Sequence, residues 1–203
     1  MISLISGLLK WLFSKNEVHI LMLGLDGAGK TTFLEHAKTM LRRRPTSGNI
    51  QLDRIPPTVG LNIARLDIDN TRVIIWDLGG QSILRSIWTK YYSEANGLIF
   101  VVDSCSSPER LAEARETLQS LLNHNDLLRI PFILCANKQD AVGALSPNEV
   151  DKIVNFTRNC ANERVNYVQG MSALSGIGIE EALQWIVNAA TLLGPRKPLL
   201  STD

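Results

Sequence analysis

A glycine-rich run at residues 24–32, GLDGAGKTT, has the G-x-x-x-x-G-K-T spacing that is typical of a phosphate-binding loop. Its glycines allow successive backbone N–H groups to turn toward a polyphosphate, and the following helix N-terminus adds partial positive charge. Lys30 can reach β- and γ-phosphate oxygens, and the Thr31 hydroxyl can bind Mg²⁺. The alternative is a tight strand-to-helix turn that binds nothing. The residues predicted to contact phosphate are Asp26, Gly27, Ala28, Gly29, Lys30, Thr31 and Thr32.

A second glycine-rich motif, WDLGGQ at residues 76–81, follows an apolar strand pattern. Asp77 stands at the end of that strand, where its carboxylate can hold Mg²⁺ through water. The Gly80 N–H is the expected donor to a terminal phosphate, and Gln81 can orient a water for in-line attack. We therefore predict catalytic roles for Gln81 and Lys30. The alternative is an ordinary glycine-rich turn after a strand.

The tetrapeptide Asn137-Lys138-Gln139-Asp140 has the N-K-x-D pattern, which selects between purine bases. The Asp140 carboxylate can accept two hydrogen bonds from the ring N–H and the exocyclic amine of guanine, a donor pair that adenine lacks. The stem of Lys138 can lie along the base, and Asn137 can tie this loop to the phosphate loop. A polar strand-to-helix loop is the alternative for any such tetrapeptide taken alone.

Two shorter segments complete the predicted nucleotide site. In Ser172-Ala173-Leu174, after the last predicted strand, the Ala173 N–H can donate to the guanine carbonyl oxygen. In Pro56-Pro57-Thr58-Val59-Gly60, Thr58 can bring its hydroxyl to Mg²⁺ and its N–H to the γ-phosphate, and both contacts end when that phosphate leaves. The alternative for this second segment is a proline-stiffened loop. The predicted metal ligands are thus Thr31, Thr58 and, through water, Asp77.

The elements that must position these motifs alternate between strand and helix patterns. The predicted strands are Val18–Leu23, Leu61–Ile68, Arg72–Trp76, Gly97–Val102, Phe132–Ala136 and Tyr167–Met171. The predicted helices are Thr31–Arg43, Ile83–Ser93, Pro108–Asn123, Pro147–Cys160 and Ile179–Leu193. This order predicts an α/β fold with a doubly wound, mostly parallel six-stranded sheet. The Asp69-Asn70 turn between two strands predicts that one edge strand is antiparallel.

Composition sets limits on the class of protein. The chain has 203 residues, 45% of them hydrophobic, which suits one globular domain. Its formal net charge is only +1, so bulk electrostatics do not favour a nucleic-acid partner. The three cysteines, Cys105, Cys135 and Cys160, are widely spaced, which argues against a disulfide framework, and we expect each to be a small buried side chain. The histidines have no metal-ligand spacing.

The first 14 residues form a predicted amphipathic helix, with serines, Gly7 and Lys10 on one side. The other side is apolar and is predicted to contact a membrane or a membrane receptor, through residues that include Met1, Ile2, Ile5, Leu9 and Leu12. An ordinary helix packed on the domain is the alternative, and a switch could alternate between the two. We divide the chain into this helix (1–16), a nucleotide-binding domain (17–194) and a tail (195–203).

Taken together, these motifs resemble the small GTPases of the Arf family over about nine tenths of the chain. The resemblance rests on GLDGAGKTT, PTVG, WDLGGQ, NKQD and SAL, and the opening residues look most like the Arf-related branch associated with the trans-Golgi. It implies a P-loop small-GTPase fold with GTP or GDP and Mg²⁺ as cofactors. It also implies that the strands around 61–76 slide when GTP replaces GDP and displace the N-terminal helix. Leu61, Trp76 and Tyr91 match the apolar effector-binding triad of the family, in which phenylalanine is usual at position 61.

The resemblance further implies a switch in Golgi membrane traffic, cytoplasmic and reversibly bound to trans-Golgi membranes. Its expected partners are an exchange factor, a GTPase-activating protein and effectors such as tethering factors, and we expect a monomer. Position 2 is Ile2 rather than the glycine that myristoylation requires, so an acetylated Met1 read by a membrane receptor is the implied anchor. The stretch from Arg42 to Ile55 is longer than in typical Arf proteins.

Two other functions fit the motifs. The chain could be a nucleotide-dependent docking module in which hydrolysis has no role, although intact Gln81 and Thr58 count against this. It could also be a P-loop kinase acting on a nucleoside or small metabolite, but such an enzyme needs phosphate-clamping arginines in a lid and has no use for N-K-x-D.

Overall fold

The computed structural model describes residues 16–41, 55–56, 58, 60–160 and 164–194. Within them the predicted doubly wound sheet is confirmed, with the strand order β2-β3-β1-β4-β5-β6. The antiparallel β2–β3 pair forms one edge, and the other neighbouring strands are parallel. The strands are β1 Asn16–Leu23, β2 Leu61–Ile68, β3 Thr71–Leu78, β4 Gly97–Asp103, β5 Phe132–Asn137 and β6 Asn166–Gly170.

Helices cover both faces of the sheet. The α-helices are α1 Lys30–Leu41, α2 Thr89–Tyr92, α3 Pro108–Leu122, α4 Pro147–Val154, α5 Phe156–Asn159 and α6 Ile179–Leu192. Two 3-10 helices, Ser82–Ile87 and Asn125–Leu127, lie in the connections. The caps explain two of the starts: Ser107 accepts from the Arg110 N–H before α3, and Ser146 and Glu149 form a capping box at α4.

Alternate side chains of the central strands pack in two separate hydrophobic cores, one on each face of the sheet. On β1, Leu21 and Leu23 join the core that α3 and α4 cover, whereas Ile20 and Met22 join the core under α1 and α6. This alternation follows from the two-residue period of a strand. Because both faces are buried, β1, β4 and β5 read as continuous apolar runs, which is why sequence could locate them.

The predicted hairpin between β2 and β3 is also present. Asp69 takes a left-handed conformation (φ 50°) at the turn, which aspartate tolerates better than most residues. Leu61 then pairs with Leu78, and Ile68 with Thr71.

Two predicted helices are wrong in their extent. The segment 83–93 is a 3-10 helix, Ser82–Ile87, followed by the single turn α2. The buried Trp88 lies between them and donates its indole N–H to the Gly79 carbonyl (3.0 Å), which holds the chain close to β3. The segment 147–160 is divided at Asn155, whose left-handed backbone (φ 55°) ends α4 before α5 begins.

The cysteine prediction is correct for Cys135 and Cys160, which are buried, and wrong for Cys105, which is exposed in the turn after β4. Burial raises the pKa of the Cys160 thiol to about 11. The predicted N-terminal helix with Met1, Ile2, Ile5, Leu9 and Leu12, residues 42–54, 57 and 59 of the loop after α1, and the tail 195–203 lie outside the described residues. No helix in the described part of the chain is long and apolar enough to cross a membrane.

Candidate nucleotide-binding site

The predicted phosphate-binding and catalytic residues, apart from the buried Ala28, meet in one cleft at the carboxyl ends of β1 and β3, where ligands of doubly wound folds bind. The cleft is lined by Asp26, Gly27, Gly29, Lys30, Thr31, Thr32, Ile55, Pro56, Thr58, Gly80 and Gln81. Loops from three separate parts of the sequence therefore face one another around a space suited to a polyphosphate.

The phosphate loop leaves β1 and enters α1 through backbone conformations that favour glycine. Gly29 has φ 94°, and a Cβ there would collide with the Nδ2 atom of Asn137. The Phe33 N–H donates to the Gly29 carbonyl (2.9 Å), which closes the first turn of α1. The helix N-terminus is thus aimed into the cleft.

Lys30 is a buried cation at the base of this loop, only 5% exposed. Its Nζ donates to the carbonyls of Gly24 and Leu25, each at 2.9 Å. Burial lowers the pKa of Lys30 to about 8, against the opposing attraction of the Asp77 carboxylate. Phosphate oxygens would supply the negative charge that favours the protonated form of this amine.

Three side-chain oxygens from three elements converge beside Lys30. The Thr31 Oγ1 lies 2.5 Å from Thr58 Oγ1 and donates to Asp77 Oδ2 at 2.8 Å, and Thr58 Oγ1 donates to the same Oδ2 at 3.5 Å. The other carboxylate oxygen, Asp77 Oδ1, is buried without a hydrogen-bond partner in the described part of the chain. Burial also raises the pKa of Asp77.

This donor set fits the Mg²⁺ that the fold implies. Hard oxygen ligands are what Mg²⁺ prefers, and a cation or its bound water would satisfy the buried Asp77 Oδ1. Thr31 and Thr58 would offer their hydroxyls to the ion, which would neutralise charge on the phosphates. No group of three or more His, Cys, Asp or Glu side chains among the described residues could hold a metal, so the ion would depend on the hydroxyls and on phosphate oxygens as well as on Asp77.

The Gly79-Gly80 backbone is packed directly against the phosphate loop. A Cβ at Gly80 would collide with backbone atoms of Gly24, Leu25 and Asp26. A Cβ at Gly79 would lie 2.7 Å from the Thr58 carbonyl oxygen. Glycines are therefore required by close approach here, and Gln81, which follows at the cap of the 3-10 helix, lines the cleft.

The base-reading motifs are joined through the buried Asn137 amide. Its Nδ2 donates to the Ala28 carbonyl (2.7 Å), as predicted for a tie to the phosphate loop. Its Oδ1 accepts from the Ala173 N–H (2.8 Å). The N–H that we predicted to meet the guanine carbonyl oxygen therefore has a protein acceptor already.

The other base-side residues lie beside this junction. Lys138, in a left-handed conformation (φ 69°), pairs its Nζ with Asp103 Oδ2 at 2.6 Å, and Asp140 is exposed in the following turn. Ser172 is buried, and its Oγ accepts from the Ser175 N–H at 3.0 Å.

The expected effector residues lie on the β2–β3 side of the sheet. The Trp76 and Tyr91 rings are tilted against each other with their centroids 5.4 Å apart. Leu61 and Tyr91 are partly buried against the same core, and Trp76 is 7% exposed. The His19 ring covers a further part of Trp76, with centroids 4.7 Å apart.

Sequence reasoning missed four polar residues beside the site. Three of them, Arg85, Arg110 and Glu113, form ion pairs near Asp26. The fourth is His36, whose Nδ1 lies 3.1 Å from the Ala173 carbonyl oxygen. The three-residue spacing of Arg110 and Glu113 on a predicted helix was a signal for a local pair. The contact between Arg110 and Asp26 spans 84 residues and needed the fold.

The topology, phosphate loop and N-K-x-D motif define a P-loop protein of the small-GTPase class. Comparison with known proteins identifies the family. Residues 5–190 match the model of the ADP-ribosylation factor (Arf) family, and the chain belongs to that family. Members are P-loop GTPases, so this chain binds guanine nucleotide and hydrolyses GTP, which decides against the kinase alternative.

Individual relatives agree with this assignment. The chain is 40% identical to the human ADP-ribosylation factor-related protein 1 over 198 residues, which is 98% of this chain and 97% of the relative. It is 38% identical to the ADP-ribosylation factor-like protein 3 of Saccharomyces cerevisiae over 188 residues, 92% of each chain. Among solved structures, the Arl6 BBS3 small GTPase of Trypanosoma brucei with bound GppNp matches with a TM-score of 0.75 at 28% identity, covering 87% of this chain and 99% of that one.

Proposed function

We propose that the chain is a GTP-operated switch in Golgi membrane traffic. It is cytoplasmic in one state, and it associates with trans-Golgi membranes and recruits effectors when bound to GTP. The Golgi part of the proposal rests on the sequence resemblance to the Arf-related branch, and the 40% identity to ADP-ribosylation factor-related protein 1 agrees with that branch. Regulators of the proposed cycle are an exchange factor and a GTPase-activating protein, and the effector surface is formed by Leu61, Trp76 and Tyr91.

The observation that carries the proposal is the position of Thr58. This residue comes from the segment between α1 and β2, yet its hydroxyl reaches Thr31 and Asp77. A loop threonine that meets the metal and a third phosphate loses both partners after hydrolysis, which is how such loops report the nucleotide state. Gly80, packed on the phosphate loop, would report the same phosphate from the other side of the cleft.

The same geometry supports the proposed catalytic roles. Lys30 and the Mg²⁺ held by Thr31, Thr58 and, through water, Asp77 would neutralise the β- and γ-phosphates, and Gln81 would orient the attacking water. Lys138 and Asp140 would contact guanine, on a loop that Asn137, Ser172 and Ala173 position through the Asn137–Ala173 bond.

We propose slow intrinsic turnover, because the two arginines that lie beside the cleft among the described residues are already engaged. Arg85 pairs with Glu113 and Arg110 with Asp26, so neither points freely at a γ-phosphate. An arginine supplied by an activating partner is worth about 10³–10⁵ in rate.

The catalytic role is tested by Gln81→Leu in the full chain. We expect the variant to retain GTP while wild type converts it to GDP, because the water loses its positioning group. Single-turnover hydrolysis of GTP-loaded protein measures this, with and without a Golgi membrane extract as a source of activating protein. Ser82→Ala, at the exposed neighbouring position, is the control. Equal rates for Gln81→Leu and wild type would contradict the role, and negligible wild-type hydrolysis in both conditions would favour the docking module.

The membrane role is tested by deletion of residues 1–14. We expect the full chain to pellet with Golgi membranes in the GTP-loaded state, and the truncated chain to stay in the supernatant, because the predicted amphipathic helix carries the apolar anchor. Mass spectrometry of the native protein identifies the bound nucleotide and the state of Met1 in the same preparation. Undiminished binding of the truncated chain would show that the anchor lies elsewhere.

A further inference from the structure

Four charged side chains form a continuous path from the phosphate loop to the segment that carries Gln81. At the first end, Arg110 Nη2 donates to both the backbone oxygen and Oδ1 of Asp26, each at 2.9 Å. The other terminal nitrogen, Arg110 Nη1, donates to Glu113 Oε2 at 2.7 Å. Asp26 belongs to the phosphate loop, and the sequence motifs predict only a nucleotide contact for it.

At the second end, Arg85 makes three directed bonds. Its Nη2 donates to Glu113 Oε1 at 2.6 Å, its Nε to the Gly80 carbonyl at 2.9 Å and its Nη1 to Thr117 Oγ1 at 3.3 Å. Each oxygen of the Glu113 carboxylate thus serves a different arginine. Such charge-assisted bonds are the stronger kind, and a guanidinium that makes several of them is fixed in orientation.

The Gly80 carbonyl belongs to the peptide bond that joins Gly80 to Gln81. Because that bond is planar, a donor that fixes its oxygen also fixes the direction in which the backbone enters Gln81. Arg85 is only 18% exposed, so its bond to this oxygen is little weakened by water. The path therefore ends on the backbone of the residue proposed to orient water.

Glu113 stands on a rigid support. It lies on α3, whose neighbouring residues Leu111, Ala114 and Leu118 are buried in the core. The hydrogen bond from Arg85 is the main reason why the pKa of Glu113 is lowered, and the bond from Arg110 does the same for the pKa of Asp26. Both carboxyl groups are thus held in the charged form that the path needs.

We propose that Arg85 and Glu113 are positioning residues for GTP hydrolysis, which hold the Gly80–Gln81 peptide in register with the phosphate loop through Arg110 and Asp26. The proposal rests on the proposed role of Gln81. A merely structural ion pair would instead fasten the 3-10 helix Ser82–Ile87 to α3 and affect stability alone.

The test compares full-chain variants in single-turnover hydrolysis of bound GTP. Glu113→Gln and Arg85→Ala are each expected to slow hydrolysis about tenfold, because each loses the charge-assisted Arg85–Glu113 bond and with it the fixed Gly80 carbonyl. Release of bound GDP is expected to stay within about twofold of wild type, because the base side is untouched. The control is Glu116→Gln on the exposed face of the same helix.

Three comparisons separate positioning from support. The double variant Arg85→Ala/Glu113→Gln should be no slower than Arg85→Ala alone, because both substitutions break the same Arg85–Glu113 interaction. Arg85→Lys should restore only part of the rate, since lysine cannot make the forked contact. Arg110→Ala should slow hydrolysis only about threefold, because its pair with Asp26 is more exposed, with Arg115→Ala as its control.

A second readout does not depend on turnover. The Leu84 N–H donates to the Gln81 carbonyl (2.9 Å), so its hydrogen exchange reports order in this segment. With a non-hydrolysable GTP analogue bound, we expect faster exchange at Leu84 in Glu113→Gln than in Glu116→Gln. If Glu113→Gln hydrolysed GTP and exchanged the Leu84 N–H at wild-type rates, the positioning role of Arg85 and Glu113 would be overturned, while the role of Gln81 would stand. If Glu113→Gln lost hydrolysis, GDP retention and stability in urea together, the pair would be structural and the positioning role would be overturned. Normal hydrolysis by Gln81→Leu would instead overturn the catalytic role itself.

Discussion

The base end and the phosphate end of the cleft are held by different kinds of groups. At the base end, neutral amides join the loops: Asn137 bonds to the Ala28 carbonyl and the Ala173 N–H, and the Gln139 N–H donates to the Met171 carbonyl at 3.1 Å. The Lys138–Asp103 ion pair lies beside these bonds. At the phosphate end, the contacts join hydroxyls, a buried ammonium and a buried carboxylate, namely Thr31, Thr58, Lys30 and Asp77.

This difference separates recognition from switching. Amide bonds between protein groups are complete whether or not a nucleotide is present, so the base end can keep one arrangement. The charged and hydroxyl groups respond to a phosphate or a cation, because both alter the local charge. We infer that substitutions at the base end will weaken GDP and GTP binding equally, whereas those at Thr58 and Gly80, the groups proposed to meet the third phosphate, will act on GTP.

The largest expected effect is at Asn137. Asn137→Ala removes both bonds of a side chain that is only 1% exposed and leaves two buried backbone groups unpaired. Each such loss costs about 1–3 kcal/mol, so we expect affinity to fall about 100-fold for GDP and GTP alike. Displacement of a fluorescent nucleotide measures both constants, and Asn159→Ala, at an exposed site, is the control. A loss confined to GTP would contradict the comparison.

A smaller and selective effect is expected at Gly80. In Gly80→Ala the new methyl group would collide with the backbone of the phosphate loop, which cannot yield as a flexible side chain would. The chain at residue 80 must then move away, so we expect GTP affinity to fall about tenfold while GDP affinity stays unchanged, a cost similar to that of overpacking a core. Gly143→Ala, with open space around its Cβ, is the control for strain at a glycine. Equal losses for both nucleotides would show that Gly80 shapes the loop rather than the third-phosphate contact.

Sequence alone predicted most of the frame and the motif residues of the site, and the reasons are local. The runs through Ile20 and Ile99 are apolar because both faces of those strands are covered. The glycines of the phosphate loop are spaced by the path of the backbone around a polyphosphate. Such patterns depend on neighbours in sequence, so they can be read without a structure.

What could not be predicted depends on contacts between distant segments. The helix pattern after Gln81 is interrupted because the Trp88 indole reaches back to the Gly79 carbonyl, which periodicity does not register. Asn155 is a local exception: it ends α4 in a left-handed conformation that asparagine tolerates better than most residues, and helical periodicity does not register it. Arg85 reaches Glu113, and Arg110 reaches Asp26, only after α3 packs beside these segments in the fold. The parts of the site that we propose to tune hydrolysis are thus the parts that sequence reasoning did not reach.

The smallest expected effect lies at His36, which tests whether the base-end loop is held by a second contact besides Asn137. Its ring lies against Gly176, and its Nδ1 is 3.1 Å from the Ala173 carbonyl oxygen, so α1 braces the loop that also bonds to Asn137. His36→Ala removes the brace but keeps the Asn137 bond, and loss of one neutral hydrogen bond is worth about 1 kcal/mol. We expect GDP and GTP affinities to fall together by about threefold to fivefold, measured against Thr39→Ala on the same helix. A change in the ratio of the two affinities would mean that α1 carries the state of the phosphates to the base, and the two ends would then not be independent.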